Sequence, residues 1–198
     1  VRVRRAGDAA LLVETGDPHR LDAAVRAAGL PGVVDVVPGE RTVLITTDGD
    51  PGRLADRVAA LEPPPRTAAD APPVEVPVVY DGADLAEVAE LTGLSPDEVA
   101  ERHSAAEYTV AYLGFSPGFG YLTGLPNELR VPRRATPRTS VPAGSVAVAG
   151  PYAAVYPSAS PGGWRLLGRT GLALWDVTRD PPSLLRPGTR VRFVREAR

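Results

Sequence analysis

Gly114, Ser116 and Gly118 in "GFSPGFGYL" stand in the G-x-S-x-G spacing of a hydrolase nucleophile elbow. That arrangement sets a serine on a strand-to-helix turn, with the next backbone N–H aimed at the oxyanion. Here the next residue is Pro117, which has no N–H to give. Gly118, Phe119 and Gly120 do not open a strong helix, and both histidines, His19 and His103, precede the serine, whereas the elbow's base follows it. The stretch therefore needs another explanation than serine hydrolysis.

The second chemical cluster is "VPRRATPRTSVPAGSV", which carries Arg133, Arg134 and Arg138 among prolines, with Arg130 just before it. Arginine on a pre-set backbone suits two-point capture of a carboxylate or phosphate. A solvated, arginine-studded loop has the same spacing, and spacing alone leaves both open. Gly162 and Gly163 before Trp164 permit close approach of a ligand, or simply form a turn beside a core tryptophan. His103 falls near a helix C-terminus, where the macrodipole favours imidazolium; a helix-end cap is the plainer role. Tyr108, Tyr112, Tyr121, Tyr152 and Tyr156 fit core positions with satisfied hydroxyls, and His19, beside Pro18, reads as solvent-exposed.

Composition narrows the classes. With 198 residues, 43% hydrophobic content and a net charge of -2, the chain reads as globular, with nothing pointing to nucleic acid. No apolar run suggests a signal peptide or a membrane span, so a cytoplasmic location is the expectation. Cysteine is absent and there are two histidines, so no metal site is expected. All 22 basic residues are arginine. Without lysine there is no Schiff base and no G-x-x-x-x-G-K-[ST] phosphate loop, so any ATP chemistry proceeds without a P-loop in this chain.

The elements that must position these residues begin with strands "VRVRRAG" and "DAALLVE", a helix in "DPHRLDAAVRAAGL", a hairpin "VVDVVPGERTVLITT" and a helix "DPGRLADRVAALE" with Asp50 as N-cap and Pro51 at its first position. This predicts a small α+β domain over 1–61, ferredoxin-like in outline. A proline-rich linker follows over 62–73. In 74–198 a strand "VEVPVVYDG" precedes two helices, the second capped by Ser95 and Glu98 and running to His103. Then "EYTVAYLG", "SVAVAG", "YAAVYP", "WRLLGRT", "LALWD" and "TRVRFV" read as close-spaced strands of a closed or nearly closed barrel.

Taken together, "GFSPGFGYL", "PRRATPRTSVPAGSVAVAG", Tyr156-Pro157, "SPGGW" and "GRT" resemble the 5-oxoprolinase B-subunit family, also known as allophanate hydrolase subunit 1 or KipI. The five motifs stand in the family's order and spacing, and with the N-terminal segment the resemblance covers nearly the whole chain. It implies a cyclophilin-like β-barrel over 74–198, with Phe115, Pro117, Gly118 and Tyr121 as pocket walls and Ser116 incidental. Ser145, Tyr156, Gly163, Trp164 and Arg169 are carried over as substrate-binding, with Arg133 and Arg138 as charge-neutralising catalytic candidates and His103 as a proton carrier. Where the family commonly has Gln-Thr, this chain reads "GPYAAVYP", with Tyr152 and Ala153, so no amide-recognition role is carried to that site.

The resemblance further implies a 5-oxoprolinase complex with two other proteins, a biotin-dependent-carboxyltransferase-like C-subunit and a separate A-subunit. Together they would open the lactam of 5-oxoproline to glutamate with ATP as co-substrate, this chain being inactive alone. Two alternatives share the motifs: a regulator that binds a histidine kinase, and the equivalent component of a urea or allophanate pathway. Peptidyl-prolyl isomerase activity rests on the barrel analogy alone and has no motif to carry it.

Overall fold

A computed structural model describes residues 1–62 and 72–197. The chain divides into two compact units, Val1–Asp70 and Ala71–Arg198. Most of the stretch expected as a linker lies outside the described residues.

In the first unit, β1 (Arg2–Arg5), β2 (Ala10–Glu14), α1 (Pro18–Ala28), β3 (Val33–Pro38), β4 (Thr42–Thr47) and α2 (Gly52–Ala59) follow one another. The sheet order is β1-β2-β4-β3 with every pairing antiparallel. β4 therefore lies between β2 and β3, the two strands that α1 connects. Asp17 accepts from the Arg20 N–H at 3.2 Å to start α1, and Gly29 ends it at φ 53°, a left-handed position open to glycine. α2 starts one residue later than the sequence suggests: Pro51 occupies the cap, while Asp50 still accepts from the Gly52 N–H at 3.0 Å. Alternation along β4 buries Val43 and Ile45 against Leu21, Val25 and Val58.

The second unit runs β5 (Val74–Val78), α3 (Leu85–Thr92), α4 (Pro96–Ala105), β6 (Tyr108–Leu113), β7 (Gly120–Thr123), β8 (Arg138–Val141), β9 (Ser145–Ala149), β10 (Tyr152–Val155), β11 (Ser160–Gly162), β12 (Arg165–Arg169) and β13 (Arg190–Arg195). Ser95 and Glu98 form the expected capping box on α4. Seven strands make one mixed sheet in the order β12-β9-β10-β7-β6-β13-β5, with β13 and β5 parallel. Its two edges meet just beyond β5, where Val79 and Arg169 exchange backbone hydrogen bonds at 2.9 Å each way, so the sheet is nearly closed into a barrel. Closure requires glycine at Gly82 and Gly168, because a Cβ on either would collide with the backbone of the opposing edge.

The sequence "LALWD" does not form a strand. Only the bridge Trp175–Ser183 pairs there, before Pro181 and Pro182, which have no N–H for a ladder. The short strands β7, β8 and β11 had no sequence signal, and β8 with β11 forms a separate two-stranded ribbon.

Several strands are buried on both faces, and the period of two sorts their residues into two cores. Val146, Val148, Ala153, Val155 and Leu167 point into the barrel with Leu122 and Phe193. Ala147, Ala149, Ala154, Tyr156 and Leu166 point outward into a second cluster with Phe119, Trp164 and Val141 of the ribbon. Three alanines on this outer face leave room for the large rings, and the candidate site forms among them.

Candidate functional site

The turn from Gly114 to Phe119 joins β6 to β7. It is a strand-to-strand hairpin, closed by the Gly114 N–H to the Phe119 carbonyl at 3.1 Å, and so lacks the strand-to-helix geometry of an elbow. Within it Phe115 sits at φ 68°, a left-handed conformation uncommon for a bulky residue. Its ring reaches Phe119 at 5.2 Å and Tyr156 at 6.4 Å between centroids.

Behind this turn lies a pocket of about 60 Å³. Phe115, Phe119, Tyr121 and Trp164 supply aromatic walls, Tyr156 and Gly162-Gly163 the floor, and Arg133 and Pro161 the rim. The rings pack mostly edge to face: Phe119 on Trp164 at 5.6 Å, Phe119 on Tyr156 at 5.3 Å and Tyr121 on Trp164 at 5.6 Å, the geometry favoured by the aromatic quadrupole. The Arg133 guanidinium lies 5.7 Å from the Trp164 ring centroid, within cation–π range. Burial raises the Tyr156 pKa, with the Trp164 backbone N–H and the Arg133 charge acting against it, so the phenol stays protonated at neutral pH.

An ionic network clamps the arginine segment over this pocket. Asp84, at the start of α3, is 1% exposed. Its carboxylate accepts from Arg134 Nη1 at 2.8 Å, from both terminal nitrogens of Arg138 at 2.9 and 2.7 Å, and from the Leu166 N–H at 2.8 Å. Burial raises the Asp84 pKa, but the Arg138 and Leu166 hydrogen bonds and the Arg138 and Arg134 charges outweigh it, leaving the carboxyl below its ordinary value. Arg165 pairs with Glu87 and donates to the Pro132 carbonyl at 3.3 Å, and the Arg134 N–H donates to the Gly163 carbonyl at 2.8 Å. Residues 132–138 are thus tied to Gly163 and to β12, on either side of Trp164.

Of the residues expected from sequence, the structure brings Phe115, Tyr121, Arg133, Tyr156, Gly163 and Trp164 around one pocket. Pro117 is exposed on the turn, and Gly118, at φ 77°, lies under Trp175. Ser145 touches the site only through its backbone, accepting from the Tyr156 N–H at 2.9 Å. Arg169 is 67% exposed and pairs with Asp81 at 3.0 Å. The Arg138 fork is engaged by Asp84. His103 is fully buried, with Nδ1 2.7 Å from the Tyr80 hydroxyl and the Phe193 ring at 4.4 Å, and burial lowers its pKa to about 3. Its surroundings are the barrel core, apart from the pocket lining.

Sequence reasoning did not single out Phe119, Pro161 or Asp84. The first two sit inside motifs already quoted, but Asp84 acts on arginines 50 and 54 positions away, a separation no local pattern reveals. A larger depression of about 470 Å³ opens beside the start of α4. Its polar groups satisfy one another, Ser95 with Glu98 and Asp97 with Arg195 at 2.6 Å, which makes it the weaker candidate. Among the described residues no helix is long and apolar enough to cross a membrane.

The fold is a nearly closed mixed barrel with an aromatic, arginine-rimmed pocket on its outer face, and the family model for the carboxyltransferase domain, subdomain C and D, matches residues 1–185. The chain is 44% identical over 208 residues to the 5-oxoprolinase B-subunit of Escherichia coli O157:H7, covering 95% of this chain and 93% of that one. It is 50% identical over 125 residues to the 5-oxoprolinase B-subunit of Bacillus subtilis strain 168, covering 62% and 52%. The crystal structure of TTHA0988 superposes with a TM-score of 0.84 at 39% identity; all of this chain is covered, and it spans 41% of TTHA0988. The chain belongs to the 5-oxoprolinase B-subunit family, also known as allophanate hydrolase subunit 1 or KipI. The relatives' name makes each one component of a multi-subunit hydrolase.

Proposed function

We propose that this chain is one component of an ATP-dependent 5-oxoprolinase and supplies a wall of the site where the lactam of 5-oxoproline is opened to L-glutamate. The observation that carries the reading is the convergence of Arg133, Tyr156 and Trp164 on one small pocket in a chain so similar to proteins named as the 5-oxoprolinase B-subunit.

A lactam carbonyl is resonance-stabilised and needs activation before water adds and the C–N bond breaks. Phosphorylation of its oxygen by ATP would supply that activation, and an arginine would neutralise the developing charge. With no lysine in the chain there is no phosphate loop here, so any contact this chain makes with the nucleotide is made without one; the partners are the A-subunit and the carboxyltransferase-like C-subunit, and this chain alone is inactive. Arg133 is the catalytic candidate, Arg138 and Arg134 hold its segment through Asp84, and His103 belongs to the core. The barrel is read as a cyclophilin-like domain over 74–198 and the first unit as a ferredoxin-like domain over 1–61.

The test is reconstitution with the candidate partner proteins, 5-oxoproline and ATP, following glutamate and ADP. Turnover should need every component, and Arg133→Met should lower kcat/KM roughly a hundredfold. Turnover by this chain alone, or wild-type kinetics for Arg133→Met, would count against the reading. Tight binding to a histidine kinase without any turnover would favour the regulator.

A further inference from the structure

In the first unit β3 is an edge of the sheet, and its sequence "VVDVVP" holds four valines and one charge. Val34 and Val37 are 67% and 43% exposed, and Val25, Leu30, Val33 and Val34 line a depression between α1 and this edge. A β-branched, weakly charged edge strand is a template for pairing with another strand. The opposite edge, β1, reads "RVRR" with Arg2, Arg4 and Arg5 exposed, so two such edges repel each other. β3 carries no comparable row of charge.

Its outward backbone groups are instead already taken. The Gly39 N–H closes the β3–β4 hairpin on the Thr42 carbonyl at 2.7 Å. Alternation from that bond turns the backbone of Val37 and Asp35 toward β4 and that of Pro38 and Val36 outward. Pro38 has no N–H to offer. The Val36 N–H donates to Asp35 Oδ1 at 2.8 Å, and the Val36 carbonyl accepts from Arg26 Nη2 at 2.6 Å. Asp22 steadies Arg26 on α1, accepting from its Nε at 2.8 Å. Toward the start of the strand the register skips Val34, a bulge that interrupts the row.

We propose that Arg26 and Asp35 are guards that hold the β3 edge closed, and that the partner they exclude is a second copy of this chain, pairing β3 against β3 antiparallel about Val36. In that register the two Val36 residues would exchange N–H and C=O bonds, and Val37 of each copy would stand opposite residue 35 of the other. Asp35 therefore blocks the pairing twice, by occupying the Val36 N–H and by setting a carboxylate against a valine. Arg26 blocks it once, at the carbonyl. The proposal is independent of the reading of the aromatic pocket.

The experiment is sedimentation equilibrium of the full chain over about a hundredfold range of concentration, with segment-resolved hydrogen exchange and a thermal melt for each variant. In the wild type, exchange over Val33–Pro38 should not depend on concentration. Arg26→Met with Asp35→Thr should associate at least about tenfold more tightly than either single variant, and should stop at a dimer because β1 keeps its arginines. The protection gained should fall on Val33–Pro38. Arg26→Lys with Asp35→Asn, which retains a donor and an acceptor, should behave as the wild type. Val34→Lys added to the first pair should undo the association. A folded Arg26→Met, Asp35→Thr chain that stays as monodisperse as the wild type overturns the proposal, as does association that protects another segment, or pairing of the wild type through β3. Should the double variant fail to melt cooperatively, Arg26→Met alone decides: β3 protection that grows with concentration supports the guard, and its absence overturns it.

Discussion

Arg138 meets Asp84 with both terminal guanidinium nitrogens, at 2.9 and 2.7 Å, and the carboxylate it grips is 1% exposed. Since Asp84 also accepts from Arg134 and from the Leu166 N–H, one side chain joins α3, the arginine segment and β12. Asp84→Asn keeps the shape but leaves two arginines without their anion, and should cost about 3 kcal/mol in urea denaturation. Arg138→Lys, which loses the two-point fork, should cost about 1 to 2 kcal/mol. Because the folded carboxyl titrates below its ordinary value, its contribution is complete above the ordinary carboxylate range and is lost as pH falls through the lowered folded value. The wild-type chain should therefore lose stability below about pH 5 more steeply than Asp84→Asn. Equal acid slopes would show that the pair contributes nothing.

His103 carries the second pH signature. Its folded pKa is about 3, lowered by burial from 6.5, so the unfolded chain binds a proton at pH 5 that the folded chain refuses. Stability is complete above the unfolded pKa and falls as pH drops from there toward 3, by about 1.4 kcal/mol per unit. His103→Gln removes this dependence. Denaturation at pH 7 and pH 5 should show about 2 kcal/mol lost by the wild type beyond the loss in the variant, while the pH profile of reconstituted turnover should be the same in both. A shifted activity profile would return the imidazole to the reaction.

Much of this was legible because the local rules agree. The Ser95–Glu98 box, the first helix and the β3–β4 hairpin each follow from residues within a few positions of one another. The pocket aromatics were legible as motifs because glycine and proline bracket them. The roles of the arginines were not, because Arg133, Arg134 and Arg138 are the same residue on the same segment and differ only in whether Asp84 stands opposite. His103 had a macrodipole argument for a charged ring, and burial against Phe193 and Tyr108 overrides it. The ribbon strands β8 and β11 were hidden by prolines that argue against strands locally but are tolerated on a short two-stranded edge.

Ser116 has a simple expected outcome. Its Oγ is buried without a hydrogen-bond partner among the described residues, and it lies in a hairpin rather than an elbow. Ser116→Ala removes an unsatisfied polar atom, so the melting temperature should hold or rise, with a gain of up to about 1 kcal/mol. Reconstituted turnover should stay within a few-fold of wild type. A loss of several orders of magnitude in turnover would restore the nucleophile.

Phe115 offers a separation of stability from binding. At φ 68° and 60% exposed, its ring holds one wall of the pocket while its backbone occupies a region that disfavours any Cβ by about 1 kcal/mol or more. Phe115→Ala loses the ring and keeps the strain, whereas Phe115→Gly loses both. Glycine also gives the unfolded chain more freedom, which offsets part of the relief. The glycine variant should nonetheless melt at or above the alanine variant, by up to about 1 kcal/mol, a reversal of their usual order. Both should weaken 5-oxoproline binding equally, because the lost wall is the same. If alanine proves clearly more stable than glycine, the left-handed turn is not strained, and the outward placement of Phe115 has to be explained by its contacts with Phe119 and Tyr156 alone.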